Sequence, residues 1–271
     1  MIHRKASALI VLALAALALP ATALALTLRA HAAAHPAAKK SMPSSSTSTS
    51  VPEIGALYAN GHTNRHGCTA SVVHSAHGDT LITAAHCVSG NAAGMVFVPG
   101  ERGTQAPYGR WTVTAAHLAP RWVSKQDPDD DVAFLTVAPR TINGAKTEIE
   151  HVTGAFSLGA TPTRGERVTV TGYPAGTNDD PITCSTTTYL TRSFPSFDCR
   201  GYVSGTSGSP WLHTTASGTE IVGVIGGLNQ GGCYDYTSYS SPLAHDAKSS
   251  YRRASTHAPA DIAPQPGGDG C

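Results

Sequence analysis

Three short stretches of this 271-residue chain hold residue types that together can activate a hydroxyl, and they lie far apart in sequence. The first is Leu81-Ile-Thr-Ala-Ala-His86-Cys87, an apolar strand running into a turn with an imidazole at its end. The second is Asp129-Asp130-Asp131-Val-Ala-Phe-Leu, where acids sit directly ahead of an apolar strand. The third is Gly205-Thr206-Ser207-Gly208-Ser209-Pro210, a serine held between glycines. A serine hydroxyl is a poor nucleophile until an adjacent base takes its proton. That base needs a carboxylate to fix its tautomer and stabilise the imidazolium. Glycine beside the serine lets backbone N–H groups approach a developing oxyanion. Taken singly, each stretch has an ordinary reading: one of 13 histidines, a solvated acidic loop, a turn. His86 stands apart because small and apolar residues surround it and a cysteine follows. The conjunction of the three carries the chemistry.

The elements that must position these residues are short strands. Apolar and β-branched runs recur at Ala70–Val73, Thr80–Thr83, Met95–Val98, Trp111–Leu118, Val132–Val137, Arg167–Thr171 and Ile221–Ile225. Weaker runs are Ile182–Thr191, Pro210–His213 and Thr237–Ser240. In Arg167-Val-Thr-Val-Thr the apolar residues alternate, the period of a half-buried strand. About ten strands with almost no helical periodicity indicate an all-β sandwich or barrels. The one helical candidate is Leu243–Arg253.

The flanks have a different composition. Met1–Lys5 is basic, Ala6–Leu28 is uncharged, and small-x-small sites follow at Ala23-Leu24-Ala25 and Ala30-His31-Ala32. Residues 1–32 therefore read as a secretory signal peptide, with an uncleaved outward-facing membrane anchor as the alternative. Residues 33–51 are rich in Ala, Pro, Ser and Thr and read as a linker, 52–254 as the folded domain, and 255–271 as a flexible tail. The formal charge of +1 conceals an asymmetry: five basic residues and no acid before residue 51, then 14 basic against 18 acidic. An exported domain with that acidic excess has no concentrated basic face, so nucleic acid is not an expected partner, and a membrane is one only if the leader stays.

All six cysteines follow residue 67, and in an exported chain they read as disulfides. Metal is the rival use. His62, His66 and Cys68 form an H-x3-H-x-C cluster, but no C-x-x-C partner exists, and the cluster reads as a polar hairpin entering a buried cysteine. Gly223–Gly227 lies in a strand pattern without a following Lys-Ser/Thr, so no phosphate loop, metal or cofactor is expected.

The motifs resemble those of chymotrypsin-fold (trypsin-like) serine proteases of the bacterial secreted type. Cys68-Thr-Ala-Ser with Thr83-Ala-Ala-His86-Cys87 resembles the family's histidine motif, Asp131-Val-Ala-Phe-Leu its aspartate motif, and Gly205-Thr-Ser207-Gly its nucleophile motif, in the family's order. Val170-Thr-Gly-Tyr-Pro174 is similar to a strand-turn of the V8-like branch. The resemblance implies two packed six-stranded antiparallel barrels with a short C-terminal helix, and a secreted, monomeric endopeptidase acting on proteins or peptides through an acyl-enzyme. His86 would be general base, then acid; Asp131 would orient it; Ser207 would attack. The N–H groups of Gly205 and Ser207 would form the oxyanion hole. Gly201 and Tyr202 would border the specificity pocket, and Gly226, Gly227 and Leu228 would pair with substrate backbone. Asp198 would reach that pocket only if its loop were longer. The resemblance also implies Cys68–Cys87. Cys184 and Cys199 flank the segment leading to Ser207 and are expected to pair, leaving Cys233 and Cys271 to pair with each other or Cys271 to bridge to another molecule. Thr206 and Ser209 depart from the common Gly-Asp-Ser-Gly-Gly motif. Because Thr206 cannot receive an N-terminal ammonium, chains starting anywhere between residues 33 and 52 are expected to be equally active. The alternative function is a catalytically idle protease-fold binding protein, tethered to the cell surface if the leader remains.

Overall fold

The computed structural model of the protein describes residues 42–59, 65–176, 180–265 and 267–271. The leader at 1–32, the opening of the linker and His62 lie outside the described residues. The first strands are β1 (Ser46–Thr47), β2 (Ile54–Tyr58), β3 (Cys68–Val72), β4 (Thr80–Thr83), β5 (Val96–Pro99), β6 (Trp111–Leu118) and β7 (Ala133–Val137). Strands β2 to β7 close into a barrel in the order β2-β3-β4-β7-β6-β5. Every neighbouring pair in it is antiparallel. Leu57, Val72, Leu81, Phe97, Trp111 and Leu135 fill its interior, each such side chain contributing about 1.5–3 kcal/mol by leaving water. Closure pairs both edges of the sheet, so the barrel is rigid at the strand ends where chemistry is mounted.

Helix α1 (Pro120–Lys125) lies between β6 and β7, and after β7 comes the hairpin β8 (Arg140–Ile142) and β9 (Ala145–Thr147). The hairpin turns at Asn143-Gly144 with φ of 50° and 82°, the two positive values that its two-residue loop needs. Next are α2 (Glu150–Thr153), β10 (Ser157–Leu158), β11 (Arg167–Gly172), β12 (Ile182–Thr187), β13 (Tyr189–Thr191), β14 (Phe194–Asp198), β15 (Pro210–Thr215), β16 (Gly218–Val224) and β17 (Thr237–Tyr239). The second half differs from the expected second antiparallel barrel. It is a six-stranded sheet, β1-β12-β11-β15-β16-β10, with a separate ladder β13-β14-β17. Its edge pair β10–β16 is parallel. Pro195, which has no N–H to donate, lies in the middle strand of this ladder opposite Leu190, and its carbonyl accepts from Ser240 N–H at 3.0 Å. Phe197 packs edge-on against Tyr202 and Trp211, with centroids 5.1 and 4.9 Å apart, at the centre of this half's core.

A shared core joins the halves. Ile82, Val132 and Phe134 meet Ile221 and Val224, and α3 (His245–Ser255) covers them with Ala247 and Ala254. Helix α3 begins two residues later than expected. Asp246 in its first turn and Arg252 and Arg253 in its last oppose the helix dipole favourably.

The folded unit also extends beyond 52–254. On the N-terminal side β1 pairs antiparallel with β12, Arg200 N–H donates to Pro43 O at 3.0 Å, and Ser45 N–H donates to Arg200 O at 2.9 Å. These contacts argue against equal behaviour for all starts between 33 and 52. On the C-terminal side the expected flexible tail is tied down. Ala263 and Gly90 exchange backbone hydrogen bonds of 2.7 and 3.1 Å. The Asp261 carboxylate accepts from Leu118 N–H at 2.7 Å and pairs with Arg253. Composition misses both segments because backbone hydrogen bonds and the Asp261 carboxylate, not a run of apolar side chains, hold them.

Candidate active site

Strand β4 ends in a 3-10 turn, Ala85–Cys87, that presents His86. Ala84 and Ala85 are fully buried behind it. The Cys68–Cys87 disulfide, with Cα atoms 6.1 Å apart, ties this turn to β3. Asp131 leaves a second 3-10 turn, Pro128–Asp130, capped by the Asp127 carboxylate accepting from Asp129 N–H at 3.2 Å. The Asp131 side chain is fully buried. Its Oδ2 faces His86 Nδ1 at 2.8 Å and accepts from Gly227 N–H at 2.8 Å, and its Oδ1 accepts from His86 N–H at 2.8 Å. An ionised carboxylate only accepts, so the imidazole proton belongs on Nδ1 and the Nε2 lone pair is left free. The other two acids of the run do different work. Asp130 pairs with Arg121 Nε at 2.9 Å; burial pushes its carboxyl up against the guanidinium's pull.

The Ser207 loop is held against β3. Thr69 N–H donates to Ser207 O at 2.7 Å, and Thr69 Oγ1 donates to Gly205 O at 3.1 Å while accepting from Tyr173 N–H at 2.9 Å. Gly205 and Gly208 have φ of +93° and +82°. A Cβ on Gly205 would lie 2.3 Å from Ala175 N, and one on Gly208 2.1 Å from Thr69 O, so neither position admits a side chain. The two departures from the common motif are absorbed inside the loop. Thr206 is buried and its Oγ1 donates to Val203 O at 2.7 Å. Ser209 Oγ donates to Thr206 O at 2.6 Å, in space that Gly172 leaves open, where a Cβ would lie 1.8 Å from that oxygen. Ala175 N–H donates to Ser204 O at 2.6 Å. Because the following peptide is planar and trans, the Gly205 N–H points the opposite way, away from Ala175.

His86, Gly205 and Ser207 line one cleft of about 670 Å³, together with Tyr202, Val203 and Ile225. Tyr202 is buried, its OH donating to Val170 O at 2.7 Å, and burial drives its phenol pKa upward. Gly201 N–H donates to Asp235 O at 2.9 Å. Asp198 does not line the cleft: its Oδ1 accepts from Tyr189 OH at 2.7 Å and Thr237 Oγ1 at 2.8 Å. Burial, then that hydrogen bond to Asp198, pushes the Tyr189 phenol up to about 12. On the edge Gly226–Leu228, expected to pair with substrate backbone, two N–H groups are already engaged. Gly226 N–H donates to Tyr239 O at 3.0 Å and Gly227 N–H goes to Asp131, so neither is available to substrate. Leu228 opens a 3-10 turn, Leu228–Gly231, instead of extending β16, because Asn229 and Gln230 take φ near +50°. The structure pairs Cys184 with Cys199 and Cys233 with Cys271. Thr69 and Tyr173, which hold the Ser207 loop, had no role in the sequence reading; their proximity to Cys68 and Pro174 in the motifs was the only signal.

A protein-family comparison matches residues 68–224 to the trypsin-like peptidase domain, more than half of the chain. The chain belongs to the trypsin-like peptidase family. Solved structures similar to it include protease Anisep from Arthrobacter nicotinovorans, with a TM-score of 0.66 and 26% identity over 78% of this chain and 99% of that one. A thermostable serine protease, AL20, from an extremophilic microorganism shares the fold, with a TM-score of 0.62 and 23% identity over 76% and 98% of the two chains. A Glu endopeptidase shares it at a TM-score of 0.58 and 17% identity, over 78% and 97%. A curated relative, an extracellular metalloprotease of Bacillus subtilis (strain 168), is 26% identical over 206 residues; the match covers 70% of this chain and 61% of that protein's length. Its name raises a metal, and the residues here do not fit one. Cys68, His86 and Cys87 place donor atoms within 4.8 Å of one another among the described residues. The two sulfurs are joined to each other and are not thiolates, and His86 Nδ1 is held by Asp131.

Proposed function

We propose that the chain is a secreted serine endopeptidase that cleaves peptide bonds through an acyl-enzyme. The observation that carries this reading is the buried Asp131 carboxylate, whose three donors orient His86 with Nε2 unengaged in the cleft that Ser207 lines. In the first step His86 Nε2 takes the Ser207 Oγ proton as Oγ attacks the carbonyl carbon. Negative charge on the carbonyl oxygen is met by the Gly205 and Ser207 N–H groups, an arrangement in which each donor is worth about 2.7–4 kcal/mol in the transition state. The imidazolium then protonates the leaving amine, the C–N bond breaks, and an ester to Ser207 remains. Water, deprotonated by the same nitrogen, hydrolyses that ester and restores the serine.

Tyr202, Val203, Ile225 and Ser238 present uncharged side chains to the cleft, Asp235 and Asp269 also line it, and Asp198 is engaged elsewhere. An apolar or small residue before the scissile bond fits such walls. Export fits three disulfides and the extracellular relative. Among the described residues no helix is long and apolar enough to cross a membrane. A fluorophosphonate probe tests the reading. It should label Ser207 covalently, and labelling should vanish in Ser207→Ala and slow in His86→Ala. An unlabelled, disulfide-intact chain would instead favour the idle binding protein.

A further inference from the structure

A hydrogen-bonded C-terminal segment borders the cleft that His86 and Ser207 line. Gln126, five residues before Asp131, accepts from Gly267 N–H at 2.8 Å and donates from Nε2 to Gln265 O at 2.9 Å. From the opposite side Gln230 Nε2 donates to Gly267 O at 3.0 Å and Asn229 Nδ2 donates to Asp269 O at 3.1 Å. Cys271 is then bonded to Cys233. The segment therefore spans from the turn ahead of the aspartate to the turn behind Gly227. The fit is close. A Cβ on Gly267 would sit 2.9 Å from Gln126 Oε1, and one on Gly270 2.9 Å from Asn229 Nδ2. Asp269 and Cys271 line the same cleft as His86 and Ser207.

The edge at Gly226–Leu228 is where the family resemblance puts the acyl part of a substrate, the residues N-terminal to the scissile bond. Its two N–H groups at 226 and 227 already face inward. We propose that Gly267–Cys271 is a fixed strap across the acyl side of the cleft, which limits how many substrate residues can lie there. Longer acyl segments must turn out into solvent before they reach the strap. This rests on the endopeptidase reading and assigns it a specificity element: short acyl contacts, with discrimination concentrated next to the scissile bond. The tether is covalent at one end and a paired amide at the other, so it can be released from either end without touching His86, Asp131 or Ser207.

The experiment is a ladder of N-acetylated ester substrates with one to four residues on the acyl side, assayed on the full chain. For the wild type kcat/KM should stay flat beyond two residues. Two variants free the strap at opposite ends: Cys233→Ser/Cys271→Ser removes the covalent tether. Gln126→Gly removes both amide contacts and keeps the left-handed backbone at φ +52°. In each, the four-residue substrate should gain about tenfold relative to the one-residue ester, the yield of one to two new backbone hydrogen bonds. Labelling of Ser207 by the fluorophosphonate is measured alongside. Normal labelling with a wild-type rate that climbs along the whole ladder, or with no relative gain in either variant, overturns the strap alone. No labelling in the wild type overturns the protease reading and the strap's role with it. If the double serine variant fails to fold, Gln126→Gly decides.

Discussion

Asp131→Asn exchanges one carboxylate oxygen for an NH2 group at a point where three donors converge. If the NH2 takes the Oδ2 position, it opposes Gly227 N–H, and only an imidazole protonated on Nε2 can accept from it. That tautomer cannot take the Ser207 proton. If the NH2 takes the Oδ1 position, it opposes His86 N–H instead. The ring then keeps its tautomer but loses the negative charge that stabilises the imidazolium. In both arrangements a buried donor is left unpaired, which costs about 1–3 kcal/mol of stability. For the rate, lost orientation and charge together should lower kcat by about 10⁴-fold. At about 1.36 kcal/mol per decade this is roughly 5.4 kcal/mol of transition-state stabilisation. The assay is kcat on a short ester, normalised to titrated active sites, with thermal unfolding of the same samples. Asp129→Asn serves as the control, since Asp129 contributes only its backbone N–H to the Asp127 cap. A kcat within about tenfold of wild type in Asp131→Asn, or an equal loss in Asp129→Asn, would refute the reasoning.

Two further perturbations follow from the packing. His117 is buried, and that burial, reinforced by Arg253 and His257 and opposed by Asp261 and Asp79, lowers its pKa. A depressed folded-state pKa means that its contribution to stability is complete above the unfolded value of about 6.5 and is lost as pH falls through the folded one. Unfolding free energy should therefore decline below about pH 6.5 by up to roughly 1.4 kcal/mol per pH unit; a His117→Gln protein that keeps the wild-type slope would place the effect elsewhere. Chains beginning at residue 42 and at residue 52 should also differ. The shorter one loses the Pro43, Ser45 and β1 contacts to Arg200 and β12, about 1–3 kcal/mol after the entropy of the freed segment is counted. Urea unfolding compares the two, and coincident midpoints would show that the segment binds too weakly to matter.

The candidate residues His86, Asp131 and Ser207 and most of the strands were legible in the sequence because their signals are local. Thr83-Ala-Ala-His86-Cys87 and Asp131-Val-Ala-Phe-Leu each join a strand pattern to a polar residue at its end, and alternation in Arg167–Thr171 marks β11 directly. Strand β2 escaped because Gly55 and Ala56 dilute its apolar pattern. Gly55 is needed there, since a Cβ would lie 2.2 Å from Val98 O on the neighbouring strand. Strand β14 escaped because Pro195 argues against a strand interior, and its role in a separate ladder depends on β13 and β17. Which of three consecutive aspartates serves the imidazole was suggested by its place before β7, but the division of work rests on Arg121, His86 and Gly227 approaching from three different elements.

By itself the sequence determined the cast: an all-β chain with a His, an Asp and a Ser in the order of the trypsin-like family, six cysteines, and no basic face. Only the tertiary structure decided how the cleft is bounded. The inward-facing N–H groups of Gly226 and Gly227, and the hydrogen bonds of Gln126, Asn229 and Gln230 to the backbone of Gln265, Gly267 and Asp269, join backbone and amide groups distant in the chain. Such contacts leave no periodicity in a sequence, because a hydrogen-bonded backbone constrains direction and distance without constraining which side chain is present.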